Sequence, residues 1–61
     1  MAKVITVILY DVIDSMVSIE HYSVREDQDL LDRIKENPLH SGAKVLYYNE
    51  KYQLAFAVCG V

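Results

Sequence analysis

The sequence predicts an α+β domain in which a four-stranded, mainly antiparallel sheet carries one helix packed on one face, in the order β-hairpin, helix, β-hairpin. Three observations predict it. Four segments rich in β-branched and aromatic residues alternate at the period of a strand, one stretch repeats its apolar residues at the period of a helix, and turn-forming residues separate them at short intervals. With 61 residues and no linker, repeat or low-complexity stretch, the chain reads as a single domain over residues 1–61.

The first strand, KVITVILY at residues 3–10, is apolar on both alternating faces, with Val4, Thr6, Ile8 and Tyr10 on one and Ile5, Val7 and Leu9 on the other. Such a strand belongs in the middle of a sheet. DVID, residues 11–14, supplies two turn-forming acids. The second strand, residues 15–24, sets Met16, Ser18, Glu20, Tyr22 and Val24 against Val17, Ile19, His21 and Ser23; each face is mixed, as expected nearer an edge. Ser23 and Glu26 have the spacing of a capping box and Asp27 is a competing cap, so the helix is expected to start within a few residues of Glu26. Leu30, Leu31 and Ile34 form its apolar stripe, and Asp29, Asp32, Arg33, Lys35 and Glu36 its wet face. Asn37-Pro38 ends it, because the residue before a proline avoids the helical region. PLHSG then leads into a third strand at residues 43–49, and a short turn near Glu50 into a fourth at residues 51–60.

One helix of about three turns covers only one face of such a sheet. The last strand is nevertheless apolar on both, with Leu54, Phe56 and Val58 on one side and Ala55, Ala57 and Cys59 on the other. An uncovered apolar patch is therefore expected, fit for a homodimer or for docking a partner. Size points the same way, since a chain this short buries only about 60% of its unfolded surface and needs added support. Cys59 is the one cysteine, which excludes an internal disulfide and a cysteine zinc site and leaves association. Cys59 itself reads as a small packed hydrophobe in a reducing cytoplasm.

Several function classes are excluded at this level. The apolar run at residues 4–10 stops at Asp11, too short for a signal segment or a membrane span, so a cytoplasmic chain is expected. A net charge of −3 argues against nucleic acid as a direct ligand, because phosphate binding is driven by Lys and Arg. His21 and His40 lack any accompanying metal or catalytic spacing and read as packed or surface residues; Ser15, Ser18, Ser23 and Ser41 have no nucleophile context, and Gly42 and Gly60 make no phosphate loop. No enzymatic activity, metal or cofactor is expected.

Charge distribution is the most informative feature. Residues 11–32 carry seven acids, Asp11, Asp14, Glu20, Glu26, Asp27, Asp29 and Asp32, against Arg25 alone, while the rest of the chain is net positive. Part of this serves the helix dipole and solvation. The remainder describes an acidic surface suited to a basic groove. Tyr47, Tyr48 and Tyr52 cluster at the second hairpin, where alternation sends Tyr47 and Tyr48 to opposite faces, either as cross-strand packing or as rings buried on binding.

KVITVILY, the turn, SMVSIEHYSVRED leading into a helix and a final strand ending AVCGV together resemble the Dmd family of phage antitoxins, most closely over residues 4–27. That resemblance implies a protein that binds a host endoribonuclease toxin of the RnlA or LsoA type in the host cytoplasm and blocks mRNA cleavage, without catalysis of its own. Where it implies an aromatic anchor near the helix start, this chain has Leu30. The expected partner-binding residues are Asp11, Asp14, Glu20, Glu26, Asp27, Asp29, Leu30, Asp32 and Tyr48. Two other readings stand beside this one: a small homodimeric structural or regulatory protein, and an acidic inhibitor of some other host nucleic-acid enzyme.

Overall fold

The computed structural model describes residues 2–60. β1 (Lys3–Asp11) and β2 (Met16–Val24) form the first hairpin, α1 (Leu30–Lys35) and a 3-10 turn at Pro38–His40 follow, and β3 (Lys44–Asn49) and β4 (Leu54–Cys59) form the second. The four strands make one sheet in the order β2-β1-β4-β3. Both hairpins are antiparallel, and they are joined by a parallel pairing of β1 with β4 running from Thr6↔Leu54 to Asp11↔Cys59. The architecture is the expected α+β sheet with one helix, two of its three strand pairs being antiparallel. The two strands that are apolar on both faces are the two central ones, and the mixed strands are the edges. That is the placement which leaves the fewest apolar side chains without a neighbour.

Alternation divides the sheet cleanly. Ile5, Val7 and Leu9 of β1, Tyr22 and Val24 of β2, and Ala55, Ala57 and Cys59 of β4 all point to the helix side and are buried with Leu30, Ile34 and Ala43 in one cluster. The small β4 side chains leave that side of the sheet shallow, and α1 lies over the β2 half, packed against β2 and the 3-10 turn. Arg33 fastens the helix from above. Its Nε donates to the Ser23 carbonyl at 3.1 Å, and its guanidinium lies 5.3 Å from the centre of the Tyr22 ring.

Two element starts differ from those the sequence predicts, and one strand is irregular. α1 begins at Leu30 and has six residues, because Ser23 is still paired with Val4 in β2 and cannot cap a helix. Residues 26–28 are spent instead in a turn, closed by Gln28 N–H donating to the Arg25 carbonyl at 3.0 Å. Asp29 occupies the cap position with extended backbone (φ −79°, ψ 143°) and makes no side-chain cap bond. β4 begins at Leu54, since Gln53 at φ 51° completes a turn that Asn49 Oδ1 holds by accepting from Tyr52 N–H at 3.2 Å. β3 is broken by an irregularity between Val45 and Tyr47 that leaves Leu46 exposed. The molecule measures 34 × 21 × 15 Å, the thickness of a sheet with a layer on one side.

Candidate partner-binding surface

The predicted site residues divide between the two ends of β2. Asp11 and Asp14 are at the β1–β2 turn, where Asp11 Oδ1 accepts from the backbone N–H of Ile13 at 3.0 Å and of Asp14 at 3.3 Å, an arrangement that holds the turn. Glu26, Asp27, Asp29 and Asp32 are at the opposite end, eight residue steps along β2 and so about 26 Å away. Glu20 sits midway, half-buried on the helix side opposite Val7. The seven acids are thus two groups with one acid between them, and the second group is the denser.

At that second end a cleft of about 600 Å³ opens between the start of β1, the turn into α1 and the tip of the β3–β4 hairpin. Glu26, Asp29, Leu30 and Tyr48 all line it, so four of the nine expected residues meet there, three from the entry to α1 and one from β3. Asp27 and Asp32 are exposed in the same stretch of chain. Tyr48 reaches the cleft because it pairs with Ala55, whose side chain points to the helix side, while Tyr47 pairs with Phe56 and points the other way. Leu30 supplies floor rather than surface. It is 7% exposed and belongs to the core, so an anchoring side chain at this end has to be Tyr48 or the half-buried Leu31.

Sequence reasoning missed the basic part of the cleft. Lys3 Nζ donates to Glu50 Oε1 at 3.0 Å and lies 6.0 Å from the centre of the Tyr48 ring; these partners hold the ammonium's pKa above its usual value, Glu50 first and Tyr48 second. Arg25 also lines the cleft and pairs with Asp27 at 3.4 Å. A signal for Lys3 existed: a hairpin turning at residues 12–15 pairs Lys3 with Val24, beside the entry to α1. Glu50 gave none, because its position depends on the β1–β4 pairing. Gln28 donates to Glu36 from its side-chain amide, tying the turn to the far end of α1.

The second surface is the side of the sheet away from the helix. Val4 and Tyr10 of β1, Val17 and Ile19 of β2, Phe56 of β4 and Tyr47 of β3 are all exposed there, together with the half-buried Ile8, Leu54 and Val58, and Phe56 is paired with Ile8 between the last two. The Tyr47 and Phe56 rings are 5.4 Å apart and tilted by 34°, and Thr6 Oγ1 is 3.2 Å from His21 Nδ1. Lys44 is the one charged side chain on this face among the described residues, at its β3 edge.

The histidines are separated: His21 is on the open face and His40 is 3.3 Å from the Tyr22 hydroxyl on the other side of the sheet. Among the described residues no three His, Cys, Asp or Glu side chains are grouped so as to hold a metal ion, and no helix is long and apolar enough to cross a membrane. Comparison with family models, curated proteins and solved structures finds no match to this chain.

Proposed function

We infer that the chain is a small binding protein without catalysis, a phage antitoxin that docks on a host endoribonuclease toxin and blocks its access to mRNA. The observation that carries this reading is the convergence of Glu26, Asp29 and Tyr48 on one cleft, with Asp27 and Asp32 exposed beside it. An RNase groove is built to hold phosphate, so carboxylates at that end of the molecule compete for the same basic residues. The resemblance of residues 4–27 to Dmd-type antitoxins supports the same assignment. In this reading the acids govern approach and Tyr48, with Leu31, governs residence.

Binding kinetics against an RnlA- or LsoA-type toxin test it. Reversing Asp29 and Asp32 to Lys is expected to slow association about tenfold at low salt and to flatten its salt dependence. Tyr48→Ala is expected to speed dissociation by about thirtyfold, the cost of truncating a central anchor. Leu30→Ala is not the diagnostic variant, because it opens the protein's own core. If both variants neutralise the toxin as the parent does, at low and at high salt, the assignment falls. Recovery of a different nucleic-acid enzyme from host lysate, with the same two sensitivities, would move the acidic surface to that partner class.

A further inference from the structure

We propose that the open face of the sheet is a homodimer interface, on which two copies of this chain stack face to face as an eight-stranded sandwich. The proposal is independent of the toxin assignment and uses the side of the sheet away from the helix, not the cleft at the entry to α1.

Charge identifies the occupant. The chain carries a net charge of −3, yet among the described strand residues no carboxylate is on this face: the positions there are Val4, Thr6, Ile8 and Tyr10, then Val17, Ile19, His21 and Ser23, then alternate residues of the second hairpin. A basic groove would find no acid to pair with on it. An anionic lipid surface would find a lone lysine, Lys44, where such surfaces are bound by clusters of basic residues. A second copy meets neither difficulty, because apposing this face with itself buries no carboxylate and brings Lys44 and His21, on opposite edge strands, to the rim. A self-complementary patch of this kind is what a two-fold interface requires.

Area and geometry agree with that occupant. Four strands spaced about 4.8 Å apart, and two of them about 30 Å long, give a footprint on the order of 500 Å² before side-chain relief is added. Doubled and corrugated, that reaches the lower end of stable interfaces, about 1,200 Å² in total. The centre of the patch holds Ile8 and Phe56, paired across the two central strands, with Leu54 and Val58 on either side along β4 and Tyr10 and Tyr47 adjoining, a mixture of aliphatic and aromatic side chains of the sort that anchors protein contacts. Two twisted sheets stacked in alignment interdigitate such side chains into a layer about 10 Å thick. The second copy supplies the layer that a single six-residue helix leaves out on this side.

Sedimentation equilibrium over low to high micromolar concentration tests the proposal. The parent chain is expected to move from 7.0 kDa towards twice that mass. Phe56→Lys places a charge on a central strand and is expected to raise the dimer dissociation constant by on the order of thirtyfold or more. Ile19→Lys, at a side chain 64% exposed, tests the same face from β2 with little risk to the fold, and circular dichroism checks both variants. A parent that stays monomeric throughout the range overturns the proposal. So does a dimer that survives both substitutions, which would be pairing through a sheet edge, or a monomer whose open face is used only by a different protein.

Discussion

Gly60 follows the last strand at φ +79°, and a β-carbon there would come within 3.1 Å of both Asp11 Oδ1 and Ile13 Cγ1. The backbone sign and the close approach both demand glycine, so Gly60→Ala is expected to lower stability by about 1–2 kcal/mol in urea titrations. The neighbouring Cys59 is 3% exposed, and burial first, with Asp11 and Asp14 second, pushes its thiol pKa above the ordinary 9.0. Burial also raises the Tyr22 phenol above 10.0, and the Lys3 ammonium is held above 10.5 by Glu50 and Tyr48. Each of the three keeps its proton more firmly folded than unfolded, so the stability it contributes is complete below the unfolded value and lost as pH rises through the folded one. Thermal midpoints should therefore hold from neutrality to about pH 9 and then fall. Cys59→Ala should delay the onset towards pH 10, measured relative to its own neutral midpoint; an unchanged onset would remove the thiol from this account.

At the scale of elements, α1 is too short to persist by itself, since six residues cannot offset the cost of nucleating a helix. Its place depends on Leu30 and on Ile34, which is fully buried. Ile34→Ala is expected to cost about 2–4 kcal/mol, a large part of what a core of this size supplies, and to show as loss of helical circular dichroism together with the sheet signal. The strands were legible in the sequence because runs rich in β-branched and aromatic residues, such as residues 3–10, are bounded by turn-forming residues such as Asp11 and Asp14. The helix start was not, because the capping signal at Ser23 was outweighed by strand pairing that the local sequence does not announce. The same limit explains the site. Glu26 and Asp29 share a turn and could be grouped by eye, whereas Lys3, Tyr48 and Glu50 reach them only through long-range sheet register.

For the whole molecule, the order β2-β1-β4-β3 sets a gradient of protection from the middle outward. Amides of Ile5, Val7, Ala55 and Ala57 in the central strands should exchange with solvent most slowly, and those of Met16, Val17 and Leu46 on the edge strands fastest. Uniform exchange across the four strands, measured by NMR, would argue against this gradient. If copies associate through the open face, the thermal midpoint should also rise with protein concentration, by linkage between folding and assembly.

The parallel partnership of β1 with β4 has a consequence for synthesis. Thr6 meets Leu54 only after 48 further residues have been joined to the chain. At about 5–20 residues per second the ribosome holds β1 without its second neighbour for seconds, far longer than a hairpin needs to form. During that interval β1 and β2 can close, but Val7 and Leu9 lack their β4 neighbours Ala55 and Ala57, which finally pack beside them in the core. The nascent hairpin therefore presents a bare apolar edge to whatever surrounds it, and a stalled or truncated product would remain in that condition. Completion of the domain thus waits on synthesis of β4, which ties its folding to translation that continues through residues 54–59.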